Sequence, residues 1–242
     1  MPTIRLFFLL LLLQLQSPAQ EAGQDQEKVQ APERPIIEQI DANQYRIGTV
    51  TFDKKSREIR FPAQLNMREG LLEYLLVHQN GKIHEALFRT ETSPTNINLA
   101  FTLLRYKPSR ELYRIPREPG VLSNDFYKED EATRAAARIA IDVEYTIDGE
   151  TKRFSVNEWI SHGTTGRTMP LTHWVYGGSE FYEGQYVPET TGDLAAIFIT
   201  NASIINYPGE DNGNDDVWTV FTRRVPPLET NVTLIVSPYK EP

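Results

Sequence analysis

The sequence predicts an α+β fold: a β-rich single domain of antiparallel hairpins with one or two helices packed on the sheet. Three observations carry that expectation. Apolar residues alternate strictly from Ile139 to Ile147 and run into Asp148-Gly149; Asn80-Gly81 separates two further β-prone runs; and only two segments carry helical signals. Strands before, between and after two helices, without an internal repeat, suit one mixed domain.

Taken in order, the chain begins with a targeting pattern. Arg5 is the only charge ahead of the apolar run Leu6 to Leu13, and Ser17-Pro18-Ala19 places small residues at a cleavage site, so a signal peptide of residues 1–19 is expected. The run is closed by Gln14 and Gln16 and is far shorter than the roughly 20 residues that span a bilayer, so no transmembrane segment is expected in the mature chain. Residues 20–35, rich in Gln, Glu, Ala and Pro, read as a flexible linker. The folded domain is then 36–242.

Gly70 to Phe88 reads as the first hairpin, because Asn80-Gly81 tolerates the positive φ values of a two-residue turn. Pairing Gln79 with Lys82 places Leu72, Tyr74, Leu76, His78, Ile83, Glu85 and Leu87 on one face, and Glu73, Val77, His84, Ala86 and Phe88 on the other. Both faces are largely apolar, which suits a central hairpin covered on both sides. A second hairpin turns at Asp148-Gly149, with Val143 facing Phe154, Ile141 facing Val156 and Glu144 opposite Arg153. Further strands are expected at about 45–52, 58–61, 173–176, 194–200, 218–222 and 231–236. Ser93-Pro94 supplies an N-cap and a first-position proline for a helix to Arg105 carrying Ile97, Phe101 and Leu104. A second helix, Glu129 to Arg138, rests on its alanines and on Asp130 and Arg134 at i, i+4.

Several of these segments together resemble the YdjY-type domain, a family of extracytoplasmic bacterial proteins without an established reaction. The resemblance rests on Gly81-Lys82-Ile83-His84-Glu85-Ala86-Leu87-Phe88 leading into Ser93-Pro94 and an apolar helix, and on Trp174-Val175-Tyr176-Gly177-Gly178-Ser179. The Asp-rich stretch Glu210 to Asp216 and Val225-Pro226-Pro227 ahead of Val232 to Pro238 extend it over most of the chain from Ile36 onward. It implies a domain type and a periplasmic or secreted location, and supplies no mechanism.

Composition removes whole classes of chemistry. The chain has 242 residues, no cysteine and a formal charge of −8, which becomes −9 without Arg5. Disulfides, thiolate nucleophiles and Cys-ligated zinc or iron–sulfur clusters are excluded, and no basic excess exists to neutralise nucleic-acid phosphates. Neither GxSxG nor a phosphate-binding GxxxxGK[ST] is present.

What remains are scattered candidates. His84-Glu85 could ligate a metal or act as a base, but neighbours in a strand point apart; the plainer reading is a pair that fixes the hairpin against the helix. Glu73 needs solvent or a partner, such as His84 or Arg89. His162 and His173 flank Gly163 to Thr168, either a loop over a pocket or a plain surface loop. Trp174, Tyr176, Phe181 and Tyr182 suit a carbohydrate- or peptide-binding platform, or core packing. Asp211, Asp215 and Asp216 crowd hard oxygens on a turn that suits Ca²⁺, or form a solvated tip; the spacing is not that of an EF-hand. The expected role is a binding or structural interaction domain at the bacterial cell envelope, with an envelope protein or polysaccharide as partner. The rival is a metal-assisted hydrolase of an envelope polymer, built from some of Glu73, His84, Glu85, His162 and His173.

Overall fold

The computed structural model describes residues 35–118 and 120–241. The expected signal segment and all but the last residue of the expected linker lie outside them. The first strands are β1 (Ile37–Gln39), β2 (Gln44–Ile47), β3 (Val50–Asp53), β4 (Ile59–Leu65), β5 (Tyr74–His78) and β6 (Ala86–Thr90). Helix α1 (Pro94–Leu103), β7 (Arg114–Glu118), β8 (Val121–Phe126), α2 (Glu131–Ala136), β9 (Arg138–Ile147), β10 (Glu150–Ser155), β11 (Ile160–His162) and β12 (Trp174–Tyr176) follow. The chain continues through β13 (Phe181–Tyr182), β14 (Gln185–Tyr186), α3 (Val187–Thr191), β15 (Asp193–Ala196), β16 (Ile205–Asn206), β17 (Trp218–Val220) and β18 (Asn231–Pro238).

Eight of these strands close on themselves in the order β4-β18-β9-β12-β16-β15-β5-β6, and β6 returns to β4 through Gln64–Arg89 and Leu65–Phe88. The expected stack of hairpins with helices on an open sheet is thus corrected to a closed barrel. Closure leaves no unpaired edge within the ring and encloses one continuous apolar core. β1, β2 and β3 extend the sheet outward from β4. Inside, Trp174, Phe88, Phe101, Ile59 and Leu234 are all fully buried, and α1 lays Phe101 flat on Tyr176 with ring centroids 4.1 Å apart.

The second hairpin folds in the expected register: Val143 pairs with Phe154 and Glu144 with Arg153, around Asp148 (φ 53°) and Gly149 (φ 81°). Two details differ. At Ser155 the hydroxyl accepts the Asn157 N–H and the strand ends in a 3₁₀ turn, so Val156 never pairs with Ile141. That turn carries Trp159 into the core, and β12 pairs with β9 further along the same edge. On the outer face, Arg153 binds Asp142 (2.8 Å) and Glu58 (3.0 Å), while Glu144 binds Arg60 (2.5 Å), a diagonal exchange that links three strands.

The first hairpin is not a hairpin. β5 and β6 run parallel, with Tyr74 beside Ala86 and Leu76 beside Phe88, joined by a crossover that includes the 3₁₀ turn Ile83–Glu85. Asn80 and Gly81 are absent from the positive-φ residues, so the turn signal has another cause. A Cβ on Gly81 would lie 3.2 Å from Gly192 Cα: the glycine is there for close backbone approach, not for its dihedral range. Asn66 Nδ2 donates to Ile83 O and to Ala86 O (2.8 Å), pinning the crossover. β5 is still buried on both faces, because Ile83 from the crossover covers Tyr74, Val77, Ala86 and Ala196.

Helix α1 has the expected cap, Ser93 Oγ accepting from Asn96 N. In α2, Asp130 is the N-cap, accepting from Thr133 N, and Arg134 pairs with Glu111 and Glu131 instead of Asp130. A residue at the cap lies outside the helix proper, so its side chain is taken by the free N–H groups. Among the described residues, no helix is long and apolar enough to cross a membrane.

Candidate functional site

The crossover gathers Glu73, Lys82, His84 and Glu85. Lys82 Nζ lies 3.6 Å from Glu73 and 3.9 Å from Glu85, and His84 Nε2 lies 3.3 Å from Glu85. The partner of Glu73 is therefore Lys82. Neither His84 nor Arg89 fills that role, since Arg89 is held by Gln64 and Glu229. His84 and Glu85 do meet, because a 3₁₀ turn, unlike a strand, does not alternate its side chains across two faces. His78, expected on the same face as Glu85, instead pairs with Thr90 at the far end of the parallel ladder.

Burial and the neighbouring Glu85 carboxylate raise the pKa of Glu73, against the pull of Lys82. Asp193, which sequence patterning did not single out, accepts from Tyr74 Oη at 3.4 Å and is buried. Burial, with a smaller contribution from Glu73, pushes its pKa up to about 6 from 3.8. A carboxyl whose folded pKa is raised contributes stability that is complete below the unfolded pKa and lost as pH rises through about 6. Moving from pH 5 to pH 7 should therefore cost about 1 kcal/mol through this group. Asp193→Asn should flatten the unfolding midpoint over that range in a thermal melt, and an unchanged pH profile would refute the assignment.

His173 lies elsewhere. Its ring packs 5.4 Å from Tyr239, and burial, followed by the Arg138 charge, lowers its pKa. The four-ring platform is not assembled: Trp174 and Tyr176 are core residues, tied to Asn157 and Asn98. Phe181 and Tyr182 are exposed on the β13–β14 hairpin. The first pair sits on a barrel strand with its rings in the core, and the second on a separate two-stranded ribbon, so the four cannot form one contact surface.

His162 and the start of the acidic loop converge on one cleft of about 590 Å³. It is lined by His162, Arg167, Tyr207, Glu210, Asp211 and Trp218, with threonines 165, 168 and 172. The Gly/Thr segment forms one wall as a tight turn, with His162 N–H donating to Arg167 O (2.8 Å) and Gly166 N–H to His162 O (2.7 Å). Gly163 N–H donates to Val217 O, which fastens that turn beside β17. The opposite wall is the acidic loop, held by Asn212 Nδ2 donating to Tyr207 O at 3.0 Å. His162 and Tyr207 pack edge-on to Trp218, at 5.6 and 5.8 Å, and Tyr207 and Trp218 are buried, so the base of the cleft is backed by the core. Burial and the charges of Glu210 and Asp211 push the Tyr207 pKa up to about 12, so its hydroxyl stays protonated.

The tautomer of His162 follows from its contacts. Nδ1 faces the N–H groups of Thr164 (3.2 Å) and Thr165 (3.4 Å) and accepts from them. The ring proton of the neutral imidazole is then on Nε2, which lies 3.6 Å from Asp211 Oδ2. His162 thus presents a donor at the cleft. Asp215 and Asp216 do not line the cleft, and among the described residues no three His, Asp or Glu side chains converge as a metal-ligand set. The residues missed by sequence reasoning are Tyr207, which lay outside every expected strand, and Trp218, which opened the one expected at 218–222. One signal was available: a Cβ on Gly209 would lie 2.6 Å from Tyr207 Cε1, so this glycine marks the packing of that ring.

Fold and cleft together define a closed, mixed β-barrel domain with a polar depression built from two loops. The chain belongs to the YdjY domain family, whose model matches residues 50–237. No curated protein and no solved structure matches it.

Proposed function

We propose that this chain is an extracytoplasmic binding domain of the bacterial cell envelope, taking an envelope component into the cleft between the Gly163–Thr168 turn and the acidic loop. The observation that carries the reading is the fixed polarity of that cleft. Donors (His162 Nε2–H, Arg167) stand beside acceptors (Asp211, Glu210), an arrangement suited to recognition.

The same geometry disfavours the metal-assisted hydrolase. An imidazole whose Nδ1 is occupied by two backbone N–H groups has neither a free lone pair at Nε2 for a metal nor a site there for an abstracted proton. Glu73 and Glu85 share Lys82, with His84 on Glu85, and His173 belongs to a third region.

The test is co-sedimentation of the purified full chain with isolated bacterial sacculi and with outer-membrane fragments, wild type against Arg167→Ala/Asp211→Asn. Wild type should pellet with one of them, and the double variant should bind about a hundredfold more weakly, as expected for two lost charge-assisted contacts. Equal pelleting of both proteins would remove the cleft from the function. Zn²⁺-dependent release of soluble fragments from sacculi, lost in His162→Ala, would restore the hydrolase.

A further inference from the structure

We infer that the ligand of this cleft is a neutral, polyhydroxylated sugar chain; this rests on the binding reading above and narrows it to a chemical class. Three features lead there. First, the polar groups are of both kinds at close quarters. Asp211 Oδ2 lies 3.6 Å from His162 Nε2, with Arg167, Glu210 and three threonine hydroxyls lining the same space. A ligand must donate to the carboxylates and accept from imidazole and guanidinium over a few ångströms, and adjacent hydroxyls do both.

Second, the local charge is unfavourable to anions. Arg167 is the one cation lining the cleft, against Glu210 and Asp211, and Asp215 and Asp216 follow on the same loop. An acidic sugar, a phosphate or a nucleic acid would meet net repulsion. Third, the backbone around the cleft is already paired. β11 is bonded to β17 on one side, and on the other Ser161 bridges Thr168 and Met169 N–H donates to Ile160 O (2.9 Å). A peptide therefore finds no open strand edge to extend along β11, which is how extended peptides gain affinity. At the base of the cleft Pro170 is exposed, and the buried rings of Tyr207 and Trp218 close off the core behind it.

Three indoles give this protein a direct readout. All three are buried, Trp174 donating to Asn157 Oδ1 at 2.8 Å, and Trp218 is the one that borders the cleft. In a ¹H–¹⁵N spectrum of the full chain, oligomers of glucose and of N-acetylglucosamine at millimolar concentration should shift the Trp218 indole resonance and leave those of Trp159 and Trp174 in place. Asp211→Asn should weaken that response about tenfold, with unmoved Trp159 and Trp174 resonances showing that the fold is retained. If galacturonate or trialanine shifts Trp218 and the neutral sugars do not, the sugar assignment falls and the binding cleft stands. If no probe shifts Trp218, the sugar assignment falls, and the sedimentation result decides whether the cleft falls with it.

Discussion

Gly177→Ala is expected to lower the unfolding free energy by about 3 kcal/mol, the upper range for overpacking a well-filled core. Gly177 is not among the positive-φ residues, so the cost is purely steric. An added Cβ would lie 2.5 Å from Tyr113 Cζ and 2.8 Å from Cε1. The ring has nowhere to go: Tyr113 is buried, its hydroxyl donates to Ser203 O and accepts from Ser179 N–H at 2.8 Å. Urea unfolding of wild type, Gly177→Ala, Tyr113→Ala and the double variant would separate the causes. The glycine substitution should cost almost nothing once the ring is removed. A cost that persists in the Tyr113→Ala background would mean that backbone conformation, not the ring, demands glycine. The pair explains why Gly177 follows Trp174-Val175-Tyr176: the barrel strand ends where a tyrosine from the segment before β7 crosses it.

The second large effect is expected at Gly192, the C-cap of α3, where alanine should also cost about 3 kcal/mol. Two contributions add. A side chain at φ 79° costs about 1–2 kcal/mol by itself, and the Cβ would lie 2.6 Å from Gly81 Cα, a backbone atom that cannot rotate away. Gly184 provides the control: it has φ 80° and nothing within 4 Å of its Cβ position, so alanine there should show the dihedral cost alone. If Gly184→Ala and Gly192→Ala destabilise equally in denaturant melts, the docking of the crossover on α3 contributes nothing. Gly192 O also accepts the His78 N–H, so displacement would disturb the end of β5. Amide exchange at His78 should report it.

The cleft residues separate into legible and hidden sets for a physical reason. Gly163 to Thr168 and Glu210 to Asp216 carry runs of small and polar residues that cannot be core, so each was visible as a loop. Their convergence was not, because 42 residues separate Arg167 from Gly209 and only the pairing of β11 with β17 brings the loops together. Trp218 and Tyr207 are core residues that also border the cleft, and nothing local separates such a ring from one that only fills a core.

By itself the sequence determined several local features. The Asp148-Gly149 hairpin and its register, the capped start of α1, the strand-rich composition and the absence of any cysteine chemistry all follow from neighbours a few residues apart. Tertiary structure decided the rest. Asn80-Gly81 satisfies a hairpin turn as well as it satisfies a tight contact with Gly192, and only the distant partner selects the parallel crossover. Barrel closure between Leu65 and Phe88, the choice of Lys82 for Glu73, and the meeting of His162 with Asp211 are likewise contacts between distant segments. Such contacts depend on which surfaces bury each other once the core forms, and local patterning carries no record of that choice.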